Sequence, residues 1–248
     1  MSDFPLSKEN YQSLFKDEAD AFVGAYLRAN LDEIVPNCPE WNVAQLGAHI
    51  GSIYHRIAEL IRTISLKPLN PKNFVAPTDP RAVLDYYQEG VSKLAAAFVD
   101  LDPTAPIWTF AGVLPALFWM RRMTHETMVH AFDLDEIHLP LHHPAARSVA
   151  DGIDEFFSVQ LERKLVQKHV PGLSGRLALG ATDSKNRWVI ELAPDHLEIL
   201  SDSSLVDAEL TGTVYDLLMY LWRRRFSSAL DKSGDLDLIA TYYRDVRL

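Results

Sequence analysis

The stretch RRMTHETMVHAFDLDE, residues 121 to 136, decides how the first half of this chain folds. Glu126 and His130 are four residues apart, which places them on one face of a helix, one turn from each other. Trp119, Met123 and Leu134 share that face, so we expect the carboxylate and the imidazole to point inward. An unpaired buried charge is very costly, so both side chains need partners. The stretch therefore predicts a polar site inside a helical domain.

A second predicted helix offers a matching histidine. It begins at Asn42, a favoured N-cap residue, and Gln45 three residues later completes a capping box. His49 lies among apolar residues of this helix, so its side chain also faces the core. His49, Glu126 and His130 form the ligand set of a catalytic zinc site, with three protein ligands and one open position. Such a set leaves a divalent ion at a net charge of about +1, which favours a thiolate or hydroxide in the open position.

Other interpretations of these residues remain open at this point. A histidine on an apolar face is more often a hydrogen-bonded core residue than a ligand, and Glu126 with His130 is also compatible with an ion pair within one helix. The spacing is not the H-E-x-x-H of zinc proteases, so Glu126 is not assigned the role of their general base. His125 lies about 100° round the helix from Glu126 and His55 about 120° from His49, so both are poor ligand candidates.

Helical periodicity covers the chain up to residue 146, and a mixed pattern follows. The four predicted helices, joined by long loops, are typical of a bundle; they span residues 7–30, 42–64, 79–101 and 115–137. A fifth helix is predicted from 146 to 169. The segments GRLALGAT, NRWVIELA, HLEILS and LVDAELTG then predict three or four short strands, followed by helices over 215–225 and 235–243. We therefore expect an α+β protein, with a helical domain over 1–146 and a smaller α+β domain over 147–248.

Composition narrows the class of partner. The chain has 248 residues and a net charge of −10, which argues against binding to a phosphate backbone. We recognise no signal peptide in it and expect no membrane-spanning segment, because no apolar run is long enough. The single cysteine, Cys38, excludes an internal disulfide and has no cationic neighbour in the sequence, so we expect it to be structural. These features predict a cytoplasmic protein that binds small molecules.

Four segments resemble one family, the mycothiol-dependent maleylpyruvate isomerases. They are WNVAQLGAHIG, RRMTHETMVHAFD, VADGIDEFF and LTGTVYDLLMYLWRRR, and they occur in the order found in that family. The resemblance implies a DinB-like four-helix bundle that binds a divalent metal, commonly zinc, through His49, Glu126 and His130. It also implies a small C-terminal α/β domain similar in shape to sterol-carrier proteins.

The resemblance further implies an arginine in the active site. The best match is Arg224, although Arg223 and Arg225 leave an ambiguity of one residue, and a cluster of cations also suits a helix C-terminus. In the family, a metal-activated mycothiol thiolate adds to the cis double bond of maleylpyruvate, the adduct rotates, and elimination releases fumarylpyruvate. Arg224 would then pair with a substrate carboxylate.

Two other functions are compatible with the same residues. One is a mycothiol S-transferase that detoxifies electrophiles, and the other is a protein that binds a metal or ligand without catalysis. Two imidazoles and a carboxylate would also accept iron, nickel or cobalt. The loops over 65–78 and 102–112 are expected to line the entrance for a small-molecule thiol and its electrophilic substrate.

Overall fold

The computed structural model describes residues 6–138, 142–161, 163, 170–200, 204–224 and 230–246. The chain divides into two units, Met1–Pro144 and Ala145–Leu248. The sequence predicts this division after residue 146.

The N-terminal unit is built on four long helices, as the periodicity predicts: α1 (Lys8–Arg28), α2 (Val43–Arg62), α3 (Val83–Asp100) and α4 (Leu117–Asp135). The predicted capping box of Asn42 with Gln45 is confirmed. The Ser7 hydroxyl caps α1 by accepting from the backbone of Asn10, and Asp79 caps a 3₁₀ turn over Pro80–Ala82 that leads into α3.

Two short hairpins occupy segments that were predicted as loops. Strands β1 (Ile34–Val35) and β2 (Cys38–Asn42) pair before α2, and β3 (Pro106–Thr109) and β4 (Gly112–Pro115) pair before α4. Because Pro115 belongs to β4, α4 begins two residues later than predicted. Strands of two to five residues, three of which contain proline, carry too little alternation to be recognised in a sequence.

The helices pack in two close pairs, α2 against α3 and α1 against α4. Gly51 allows the first pair to approach closely, since a Cβ atom there would lie 2.9 Å from the Tyr86 ring and 3.3 Å from the Cα of Tyr87. Helices α2 and α4 are joined by a buried hydrogen bond between the Tyr54 hydroxyl and Thr127. The Thr127 hydroxyl itself donates to the carbonyl of Met123, so Tyr54 is the donor. This bond lies next to Glu126 in sequence and holds together the two helices that carry the predicted ligands.

The C-terminal unit combines helices with a mixed sheet, which confirms the α+β class. It opens with α5 (Ala146–Glu155), which continues as a π-helical turn over Phe156–Leu161. The fifth helix was predicted to reach residue 169, and residues 162 and 164–169 lie outside the described part. Two more helices are described, α6 (Val214–Leu221) and α7 (Leu236–Asp245).

The sheet of this unit has the order β7-β6-β5-β8-β9. Its strands are β5 (Gly175–Ala181), β6 (Arg187–Leu192), β7 (Leu197–Leu200), β8 (Ala208–Gly212) and β9 (Asp231–Gly234). Strands β5 and β8 are parallel, and the other pairs are antiparallel. The four predicted strands are confirmed. Strand β9 was not predicted, because its sequence DKSG is polar and fully exposed. No helix in the described part of the chain has the length and apolar content that crossing a membrane requires.

Candidate metal centre

His49 lies in the second turn of α2, near the end of hairpin β1–β2. The capping box fixes the start of α2 at Val43, and Trp41 of β2 lies just before it. The indole ring of Trp41 packs over the imidazole of His49, with ring centroids 4.4 Å apart and a tilt of 37°. About a third of the His49 side chain, 34%, remains exposed. The histidine is therefore oriented by its neighbour and still open on one side.

Helix α4 brings Glu126 and His130 to the same place. One carboxylate oxygen, Oε1 of Glu126, lies 3.9 Å from Nε2 of His49 and 3.6 Å from Nε2 of His130. The two imidazole rings are 5.7 Å apart at nearly right angles. One ligand atom from each of the three residues lies within 4.8 Å of the others. The three side chains that the sequence singled out thus converge.

This cluster fits a divalent ion by its spacing and by its donor types. Ligand atoms about 2.1 Å from a tetrahedral zinc ion lie about 3.4 Å from one another, so the observed spacings need only a small contraction. Two imidazole nitrogens and a carboxylate oxygen are borderline donors that suit zinc and its neighbours in the first transition row.

Two further side chains on α4 hold the cluster in place. The Arg122 guanidinium donates to Oε2 of Glu126 at 2.7 Å, which leaves Oε1 for the histidines. The Nδ1 atom of His130 donates to Oδ2 of Asp133 at 2.9 Å, so its Nε2 atom points to the cluster. Asp133 is fully buried. A carboxylate behind a ligating histidine orients the ring and raises its basicity.

Asp133 also takes part in a second group of possible ligands. Cys38 of β2 lies with its sulfur 3.6 Å from Oδ2 of Asp133, and Cys38, His130 and Asp133 meet the same spacing criterion as the first group. We favour the first group, because Asp133 already accepts from Nδ1 of His130 and is sealed from solvent. In this arrangement Cys38 contacts Asp133 without serving as a ligand, and its structural role stays a prediction.

Residues 14–135 match the family model described as the mycothiol maleylpyruvate isomerase N-terminal domain. The N-terminal unit belongs to this family. The chain is also similar to a crystal structure of the mycothiol-dependent maleylpyruvate isomerase, with a TM-score of 0.66 and 16% identity, and to a histidine-to-alanine mutant of that enzyme at 0.65 and 16%. Each similarity covers 95% of this chain and 98% of the other. At this identity the likeness shows a shared fold. No curated protein matches the chain.

Within the N-terminal unit, the cluster carries opposite charges. Burial alone would raise the pKa of Glu126, but the charge of Arg122 and the interactions with His130 and His49 hold it well below its ordinary value. Burial alone would lower the pKa of His130, but its bonds to Asp133, Cys38 and Glu126 raise it well above its ordinary value. In the metal-free protein these shifts favour the anionic form of Glu126 and the cationic form of His130.

A cavity of about 500 Å³ opens beside the cluster, and His49 is part of its wall. The other walls come from Trp41 of β2, from α2, including Ile53, and from the loop before α3, including Phe74. The loop over 65–78 was expected to line an entrance, and its residues 71 and 74–77 do line this cavity. Residues 102–112, expected to do the same, are not among its lining residues.

The remaining histidines that we considered lie elsewhere in the domain. The Nε2 atom of His55 bonds to the carbonyl oxygen of Tyr86, and the two rings stack at 4.2 Å. His125 is buried in α4, outside both groups of possible ligands. Among the described residues, neither histidine closes the site as a fourth ligand, in agreement with their predicted angular positions.

The arginines after α6 have different surroundings. Arg223 adopts a positive φ of 64° and donates to the carbonyl oxygens of Tyr220, Tyr242 and Val246. Its guanidinium also lies 4.5 Å from the ring centre of Tyr243, so it serves the packing of α6 against α7. Arg224 donates to the carbonyl of Trp222 and lies near its ring. Arg225 lies outside the described residues.

The stretch from residue 121 to residue 136 also contains a sequence signal for the two supporting side chains. Arg122 precedes Glu126 by four residues and Asp133 follows His130 by three, which are the spacings at which helical side chains meet. The packing of Trp41 on His49 had no such signal, because it depends on the path of hairpin β1–β2.

Proposed function

We propose that the N-terminal unit binds one divalent metal ion, preferably zinc, through His49, Glu126 and His130. We further propose that the protein is an enzyme that uses a low-molecular-weight thiol to attack a small electrophile. The observation that carries the proposal is the convergence of three ligand atoms beside a cavity on which His49 opens. The family of the N-terminal unit and the fold shared with a mycothiol-dependent isomerase support mycothiol as the thiol.

A metal held there would supply a Lewis acid that lowers the pKa of a thiol, making a thiolate available at neutral pH. Three side chains next to the proposed ligands would support this role. Asp133 accepts from the Nδ1–H of His130, which leaves Nε2 as the ring nitrogen that would coordinate a metal. Arg122 neutralises part of the charge of Glu126 and fixes its rotamer. Trp41 covers one face of His49 and provides an apolar wall to the cavity.

Arg224 is proposed to bind a carboxylate of the substrate. This role rests on the resemblance of the segment after Gly212 to the family pattern, and the planar guanidinium is well shaped for a carboxylate. The structural bonds of Arg223 favour Arg224 over that neighbour. Replacing Arg224 by alanine should leave metal content unchanged and raise the KM for a carboxylate substrate. Unchanged kinetics would remove this role.

Isomerisation of maleylpyruvate to fumarylpyruvate is the reaction we propose first, with transfer of the thiol to other electrophiles as the second. Protein loaded with zinc should be incubated with mycothiol and maleylpyruvate, and separately with mycothiol and a generic electrophile. Turnover of maleylpyruvate alone supports the isomerase, and turnover of the electrophile alone supports a transferase. A cytoplasmic location, and the lack of nucleic-acid and membrane partners, stay predictions.

Substitution of one ligand separates catalysis at this site from catalysis elsewhere. His49→Ala should lose both metal and activity, because one of three ligands is gone. His196→Ala, on the exposed surface of the C-terminal unit, is the matched control and should keep both. Full activity of His49→Ala would show that the proposed site is wrong. Zinc-loaded protein that turns over neither substrate would support a binding protein without catalysis.

A further inference from the structure

Arg56 lies on α2 two turns beyond His49 and lines the same cavity. Gln45, His49, Ser52 and Arg56 follow one another at intervals of four, three and four residues. This spacing keeps side chains on one face of a helix, and all four line the cavity. Helix α2 therefore presents one polar stripe to this cavity, with the candidate ligand near one end and a guanidinium at the other.

The charge of Arg56 is uncompensated in this setting. The side chain is half-buried, and it makes no hydrogen bond or ion pair with any residue in the described part of the chain. His49 and Arg56 are the only titratable residues among those that line the cavity in the described structure, and no carboxylate is among them. The other five arginines of the N-terminal unit all have polar or electrostatic interactions; they are Arg28, Arg62, Arg81, Arg121 and Arg122. A cation left without a counter-charge beside a cavity favours an anionic ligand.

The larger cavity of the same unit provides a contrast. It has a volume of about 750 Å³, and its two long cations are neutralised within the protein. Arg62 pairs with Glu59 at 2.7 Å, and Lys93 pairs with Glu89 at 2.8 Å. The long cations of that cavity are therefore paired, whereas Arg56 in the cavity beside His49 has no counter-charge in the described part of the chain.

The distance between His49 and Arg56 along α2 sets the length of a ligand that could reach both. Seven residues of helix rise about 10 Å, and side chains on a helix lean toward its N-terminus, so Arg56 extends back toward Ser52 and His49. Trp41, Ile53 and Phe74 provide apolar walls to the same cavity. The shape suits an elongated molecule with an apolar middle and charged ends.

We infer that Arg56 binds a carboxylate of the molecule that occupies this cavity while its other end is held at the His49 cluster. This inference rests on the proposed function, since it takes the thiol or its adduct to be held at that cluster. It narrows the substrate class to carboxylates whose charge lies several bonds from the reacting centre. Arg56 is then a residue that determines specificity, in the same unit as the metal centre.

The test uses zinc-loaded full-length protein and two thiols of equal length, 6-mercaptohexanoate and 6-mercaptohexan-1-ol, titrated by calorimetry. The wild-type protein should bind the carboxylate about tenfold more tightly than the alcohol, the usual size of one charge-assisted bond. Arg56→Gln should lose this preference while it still binds the alcohol. Arg56→Lys keeps the charge without the planar fork and should retain part of the preference.

Arg62→Gln is the matched control, because it removes an equal charge from the same helix outside this cavity. It should keep the wild-type preference. The shorter pair, 3-mercaptopropionate and 3-mercaptopropan-1-ol, should show a smaller preference in the wild type, because the carboxylate falls short of Arg56.

The results distinguish a failure of the role of Arg56 from a failure of the proposed function. If the wild type binds both long thiols equally, or if Arg56→Gln keeps the preference, the role of Arg56 is wrong while the metal centre stands. If neither thiol binds the zinc-loaded protein, the proposed function fails, and the inference about Arg56 fails with it.

Discussion

The imidazole of His130 is held from both sides, by Asp133 at Nδ1 and by Glu126 at Nε2. Asp133→Asn keeps the shape but removes the charge that makes the imidazole basic. We expect metal affinity to fall about 10- to 100-fold, the usual effect of losing such a partner. Competition with a chromophoric chelator measures the change.

Cys38→Ser serves as the control for that substitution, since Cys38 contacts the same carboxylate. It should leave metal affinity within a few-fold of the wild type. If Cys38→Ser loses the metal while His49→Ala retains it, the ion occupies the group of Cys38, His130 and Asp133 instead.

The raised pKa of His130 predicts that metal binding depends on pH. Below that pKa, the metal-free protein carries a proton on this ring, so an arriving ion must displace it. Affinity should therefore fall about tenfold for each pH unit below the pKa and level off above it. Calorimetric titration near pH 7 in two buffers of different ionisation enthalpy should show about one proton released per ion from His130. Proton release near zero would contradict the protonated state that we assign.

His130 and Glu126 also make the stability of the metal-free protein depend on pH. The raised pKa of His130 adds stability that is fully present below its ordinary pKa of 6.5 and is lost as pH rises through the raised value. The lowered pKa of Glu126 adds stability that is present above 4.5 and is lost as pH falls through the lowered value. Between pH 4.5 and pH 6.5 both contributions to the stability of the metal-free fold are fully present.

At the scale of the helices, the close approach of α2 and α3 depends on Gly51. Alanine there would place a Cβ atom 2.9 Å from the Tyr86 ring and 3.3 Å from the Tyr87 backbone, and the ring is held by stacking on His55. We expect overpacking to outweigh the gain in helix propensity, so the free energy of unfolding should fall by about 1–3 kcal/mol.

Gly24→Ala is the matched substitution on α1, where the nearest atom is the end of the Arg28 side chain at 3.6 Å. Here the propensity gain should dominate and raise the free energy of unfolding by up to about 1 kcal/mol. Urea unfolding of both variants measures the difference. Equal effects on stability would show that the α2–α3 contact is looser than described.

The helices were predictable because their signals are local. Ser7, Asn42 and Asp79 mark helix starts, and apolar residues at helical spacing mark the buried faces. The hairpins that shape the entrance to α2 and α4 were not predictable, because their pairing is set by contacts across the chain rather than by alternation within a strand. Strand β9 was missed for the same reason: its polar sequence becomes a strand only by pairing with β8.

The candidate site was likewise predictable only in part from the sequence. Residues 49, 126 and 130 were found from two inward helix faces and a family resemblance, and the structure brings them together. The sequence did not single out Arg56. Its significance depends on two properties of the structure: no carboxylate is among the residues that line the cavity, and Arg56 has no ion-pair partner in the described part of the chain. Neither property is visible in the sequence of α2 alone.

At the scale of the whole molecule, the two units should respond differently to the metal. An ion that binds only the folded protein stabilises it by about 2.7 kcal/mol when present at 100 times its Kd. Because all three proposed ligands lie in α2 and α4, hydrogen exchange should slow in these helices and remain unchanged in the sheet of β5 to β9. Protection that appears mainly in the sheet would place the ion in the C-terminal unit.

The metal content of the chain tests the central claim most directly. Protein purified without chelator should contain close to one divalent ion per chain by elemental analysis. His49→Ala, Glu126→Gln and His130→Ala should each contain far less, and His196→Ala should match the wild type. Wild-type protein with well under one ion per chain, or ligand variants that keep a full ion, would contradict the metal centre formed by His49, Glu126 and His130.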